Sequence, residues 1–110
     1  MENSSHLNIE QIDSLDRDFF VILLDSFFQN YETDIKKLAE AIDTECKESI
    51  HHFSHKIKGT SQLVGAPNIF KAMLFIEHNS QQIDVCKEKF SQVSDLFLNY
   101  STEIKKYLNS

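Results

Sequence analysis

Glycine and proline are almost missing from this chain: Gly59, Gly65 and Pro67 are the only ones in 110 residues. So few turn-forming residues exclude the many short strands of a sandwich or barrel and leave long helices as the natural solution. Cysteine is equally sparse. Cys46 and Cys86 lie far apart within helical patterns, and no secretory pattern precedes them. They read as two reduced core thiols of a cytoplasmic protein, not as a disulfide framework. Basic residues are outnumbered, 11 Lys and Arg against 17 Asp and Glu, for a net charge of −6. That balance argues against nucleic acid as a general partner, because phosphate backbones are bound by clustered cations. No apolar run approaches the roughly 20 residues that span a bilayer, so no direct membrane contact is expected of the domain. Glycine-rich phosphate loops of the G-x-x-x-x-G-K-[ST] or G-x-G-x-x-G type are absent, and ATP binding is not indicated.

What is present suits one soluble domain, with 41% hydrophobic and 25% charged residues. Residues 1–8 are polar and aperiodic and read as a flexible arm, leaving 9–110 as a single domain. Asn8 or Asp13 can cap a short first helix carrying Ile9, Ile12 and Leu15. From Asp16 to about Asp43, Phe20, Leu24, Phe27, Tyr31, Ile35, Leu38 and Ile42 recur at spacings of three and four, the pattern of a long amphipathic helix. Phe19, Ile22, Leu23 and Phe28 widen that stripe near its start, either to pack under the N-terminal flap or to dock a protein. Thr44 can cap a third helix whose inner stripe is Cys46, Ile50, Phe53, Ile57, Ser61 and Val64, with Gly65 as its stop. Pro67 suits the first turn of a fourth helix to about residue 81, apolar nearly all round and expected to be the most buried. Ile83, Cys86, Phe90, Val93, Phe97, Tyr100, Ile104 and Tyr107 then predict one unbroken final helix. The expected fold is all-α: an antiparallel up-and-down four-helix bundle with a short additional N-terminal helix.

The stretch His51-His52-Phe53-Ser54-His55-Lys56-Ile57-Lys58-Gly59 carries the candidate chemistry. At about 100° per residue, His55 points roughly 160° away from an inner stripe centred on Ile57, and so into water. His51 and Gln62 share its outward face, Lys58 lies to one side and Gly59 to the other. A glycine inside a helix costs about 1 kcal/mol relative to alanine, and its use here is to leave the imidazole open to a bulky partner. Lys58 can hold negative charge built on the ring, and Lys56 adds to the local field. Imidazole has an ordinary pKa near 6.5, is substantially neutral at cytoplasmic pH, and accepts a phosphoryl group at a ring nitrogen.

The run His55-Lys56-Ile57-Lys58-Gly59-Thr60-Ser61, followed by Leu63-Val64-Gly65-Ala66, resembles the signature of histidine-containing phosphotransfer (HPt) domains at every position. It is most similar to the modules at the C-terminal ends of bacterial hybrid sensor histidine kinases, and helix order and length extend the likeness over nearly the whole chain. The resemblance implies that His55 accepts a phosphoryl group from an aspartate of one receiver domain and passes it to an aspartate of another. It also implies that Lys58 assists, Gly59 gives clearance, Gln62 is a polar neighbour, and the receiver supplies the Mg2+. No cofactor is expected in this domain itself. Receiver domains of response regulators or of a hybrid kinase are the expected partners of a monomeric domain. Ser54, Lys56, Phe19, Leu23, Phe70 and Lys71 are the expected docking residues.

Three other readings stand beside it. His51 and His55, helped by His52 or His78, would suit a metal, although His52 occupies the place where a metalloprotease H-E-x-x-H pattern needs Glu. The dimerisation domain of an autokinase would follow its histidine with an acidic residue and a proline, where Lys56 and Thr60 stand. A helical interaction module docking through Phe19, Leu23 or Phe70 would leave Lys58 and Gly59 unexplained.

Overall fold

A computed structural model describes residues 6–110. Among them are six helices and no strand: α1 (Ile9–Asp13), α2 (Arg17–Asp43), α3 (Lys47–Leu63), α4 (Pro67–His78), α5 (Ile83–Phe90) and α6 (Val93–Leu108). Local chemistry sets the boundaries. Asn8 Oδ1 accepts from Gln11 N at 3.2 Å and Asp16 from Phe19 N at 3.1 Å, each occupying a backbone donor that a helix start leaves free. Gly65, at φ +65°, ends α3: its N–H bonds Gln62 O at 3.2 Å and Ala66 N–H bonds Ser61 O at 3.0 Å, the paired bonds of a Schellman stop. Pro67 then opens α4, where its missing N–H leaves no donor unmet.

Consecutive long helices run antiparallel. Lys56 pairs with Asp34 and Lys37 lies over Phe53, which fixes α3 against α2. Tyr31 stacks on Phe97 with centroids 3.9 Å apart while Phe27 meets Tyr100, which sets α6 antiparallel to α2. At 1.5 Å per residue the 27 residues of α2 reach about 40 Å, which accounts for the 42 Å long axis. The core between the helices holds Phe20, Leu38, Ile50, Ile57, Ile69, Met73, Ile76, Tyr100 and Ile104, all nearly inaccessible. Tyr100 is tolerated there because its hydroxyl donates to Val64 O at 2.6 Å.

Several local expectations differ. Leu7 is buried and Asn8 N–H bonds Gly65 O at 2.9 Å, so residues 7 and 8 are packed rather than part of an arm; residues 1–5 of that arm lie outside the described residues. Thr44 does not cap α3. It closes α2, with its hydroxyl donating to Glu40 O, and the reversal is made by Glu45 in the left-handed region at φ +55°. Cys46 consequently sits at the exposed start of α3, not in the core, whereas Cys86 is buried. α4 stops at His78 and leaves Phe75 exposed, capped by the Lys89 ammonium 4.8 Å above its ring. The final helix is broken at Ser91 and Gln92, where the Ser91 hydroxyl donates to Glu88 O at 2.6 Å and competes with the helical ladder.

Candidate functional site

His55 stands midway along α3 with its side chain 64% exposed, as the helical phase predicts. One feature of its surroundings is absent from the sequence reading. Glu77, the sole carboxylate of α4, is 9% exposed and reaches between three cationic or titratable groups of α3. Its Oε2 lies 2.8 Å from His55 Nδ1 and 3.6 Å from His51 Nε2, and its Oε1 lies 2.7 Å from Lys58 Nζ. Burial pushes the Glu77 carboxyl up, while Lys58 and then His55, by hydrogen bonding and charge, pull it down further, so the net direction is down. Glu77 is therefore a carboxylate at neutral pH and can only accept. Nδ1 of His55 must be the donor, which leaves Nε2 as the free nitrogen of an exposed ring. A sequence signal for Glu77 existed in retrospect: a lone acid near the end of a mostly apolar helix needs a partner.

The lysines are arranged differently from the basic patch expected. Lys58, its side chain only 20% exposed, turns to α4 and pairs with Glu77; Lys56 pairs with the buried Asp34 of α2 at 3.0 Å. Each offsets a carboxylate that would be costly to bury alone, so Lys56 is a strut between α2 and α3 and adds little free field. Ser54 is fully buried, with its hydroxyl donating to Ile50 O at 2.7 Å, and is not on a docking surface. Gly59 is exposed, and a Cβ built on it would meet nothing within 4 Å. Among the described residues no contact requires glycine there.

Gln62 is exposed and borders a cavity of about 190 Å³ with the half-buried Phe70, Pro67, the α1 cap Asn8 and Gln11 of α1. Its carbonyl accepts from Gln11 Nε2 at 2.6 Å, so the N-terminal flap is tied to the end of α3 two turns from His55. Lys71 is exposed on α4. Phe19 and Leu23 are not brought to the site. Asp34 marks the level of Lys56 on α2, and Phe19 lies 15 residues before it, about 22 Å along the axis. Leu23 is half-buried against the core, while Phe19 and Ile22 are exposed at 51% and 65%. His52 packs edge-on against Phe53 instead of joining His55. Among the described residues no group of three or more His, Cys, Asp or Glu side chains is placed to hold a metal ion, and no helix is long and apolar enough to cross a membrane.

The described residues form a helical bundle in which α3 presents the exposed His55, hydrogen-bonded from behind by a buried carboxylate of α4 and followed one turn on by an exposed glycine. The chain matches the family model described as Hpt domain over residues 22–105, and it belongs to that family. No curated protein matches it. The family carries out phosphotransfer in phosphorelays through interaction with receiver domains. The matched span takes in most of α2, all of α3 to α5 and most of α6, and so the whole of the His55, Lys58 and Glu77 arrangement.

Proposed function

We propose that this protein is a phosphorelay intermediate that accepts a phosphoryl group on Nε2 of His55 from a receiver-domain aspartate and returns it to the aspartate of another receiver. The observation that carries this reading is the 2.8 Å bond from His55 Nδ1 to the buried Glu77 carboxylate. It holds the ring in the tautomer whose lone pair is on the exposed nitrogen. The Nε2 lone pair attacks phosphorus; the N–P bond forms as the acyl O–P bond breaks, and the receiver aspartate leaves as carboxylate. The proton stays on Nδ1. Positive charge therefore develops on the imidazole, and the Glu77 carboxylate already lies against it, as a carboxylate does behind a catalytic imidazole.

Lys58 stands on the far side of that carboxylate, close enough to turn from Glu77 toward phosphoryl oxygens once they arrive. Gly59 leaves room for the receiver, and Gln62, Phe70 and Lys71 extend the contact surface toward the α1 flap. The Mg2+ of the transfer belongs to the receiver, the partners are receiver domains in the cytoplasm, and the isolated domain works as a monomer. Incubation with a phosphorylated receiver should place acid-labile label on the wild type, and His55→Gln should take none while keeping its helical circular dichroism. Label retained in a folded His55→Gln variant sinks the assignment.

A further inference from the structure

A second imidazole faces the same carboxylate oxygen. His51 lies one turn before His55 on α3, the two rings are parallel within 6°, and their centroids are 6.3 Å apart. Glu77 Oε2 takes the His55 Nδ1 proton at 2.8 Å and stands 3.6 Å from His51 Nε2. The second distance is too long for a hydrogen bond, yet a small rotation would close it. Because Lys58 holds Oε1 at 2.7 Å, the carboxylate offers one oxygen to two rings. His51 is itself 58% exposed.

Building on the phosphorelay reading, we infer that His51 is a positioning residue that competes with His55 for Glu77 Oε2. While His51 is neutral the contact stays long, and Oε2 remains with His55. Once His51 takes a second proton, its Nε2–H becomes a cationic donor facing an anionic acceptor, and gains an ion-pair attraction that the uncharged His55 donor lacks. Oε2 is then drawn toward His51, Nδ1 of His55 loses part of its acceptor, and the ring is no longer fixed for attack. Acid thus weakens the relay through His51 in addition to the protonation of His55 itself.

The charged groups near His51 come from three helices. From α4 the facing group is Glu77. On α3 they are His55, with Lys58 on the opposite oxygen of the same carboxylate, and, one turn before His51, Lys47 and Glu48. From α2, Asp34 pairs with Lys56, Lys37 lies over the Phe53 ring, and Glu40 borders a cavity with Ser49 and Phe53 of α3.

The test compares wild type, His51→Gln, which cannot gain charge, and His51→Lys, which always carries it. Phosphoramidate, a small donor whose P–N bond breaks with loss of ammonia, replaces an unidentified cognate receiver. Initial labelling of His55 is followed from about pH 5 to about pH 8, where imidazoles titrate. Relative to its own rate at the alkaline end, His51→Gln should be about threefold faster than wild type at the acid end. Threefold is the effect of one unit charge acting in water across the 6.3 Å between the rings. His51→Lys should be slow throughout. The 15N resonance of His55 Nδ1 should show two inflections with pH in the wild type and one in His51→Gln. Superimposable rate profiles and superimposable 15N titrations overturn the role of His51. Failure of the wild type to label at any pH overturns the phosphorelay reading beneath it, so the two failures are told apart.

Discussion

Replacing Gly59 should make the protein more stable while making it a poorer relay. The residue lies inside α3, and a Cβ there meets no atom within 4 Å. The only terms left are helical: alanine is preferred to glycine by about 0.8–1.0 kcal/mol in a helix interior, chiefly because the unfolded glycine has more conformational freedom to lose. With a melting entropy of about 2.1 cal/mol/K per residue over 110 residues, Gly59→Ala should raise the midpoint of thermal unfolding by about 4 °C. Gly59→Gln should keep most of that gain, since glutamine is also a good helix former. Its longer side chain, however, projects from the face that His55 presents to a receiver and should slow phosphotransfer strongly. The assays are thermal and urea unfolding on one side and receiver-dependent labelling of His55 on the other. A midpoint that is unchanged or lowered in Gly59→Ala refutes the claim that nothing within the chain needs this glycine. Undiminished transfer in Gly59→Gln refutes the clearance role.

Glu77→Gln keeps an acceptor beside His55 but removes the negative charge, and loss of a charge-assisted hydrogen bond worth about 1.5–3 kcal/mol predicts transfer slower by about 10- to 100-fold. The same variant tests the acid stability. Because the Glu77 carboxyl is held down in the folded protein, its stabilisation is fully present above the ordinary carboxylate value of about 4.3 and is lost as pH falls through the lower folded value. Urea midpoints of wild type and Glu77→Gln should therefore converge in acid; a gap that stays constant as pH falls would contradict the pairing. Gly65→Ala should destabilise by about 1–3 kcal/mol, because φ is +65° and the new Cβ would lie 2.8 Å from Ile12 Cγ1. Glu45→Gly should stabilise by about 1 kcal/mol by relieving a left-handed non-glycine residue; an unchanged urea midpoint in either variant would refute its backbone reading.

The sequence by itself determined the long helices, most of the buried stripe of each and the outward direction of His55. These are set by spacing, and a period of 3.6 residues needs no knowledge of what the helix packs against. It also marked Gly65 and Pro67 as stop and start, because their backbone chemistry acts locally. Breaks and reversals were less legible. Ser91 ends a helical turn by a single hydroxyl bond, and Glu45 takes a conformation more natural to glycine, neither of which alters the apolar period. Tertiary structure alone decided the charges. Lys56 and Lys58 looked like free cations, and only the register of α3 against α2 and α4 shows that Asp34 and Glu77 stand opposite them. Glu77 is 22 residues from His55 in the chain yet holds its ring nitrogen. That pairing depends on where two antiparallel helices meet, which spacing along either one cannot tell.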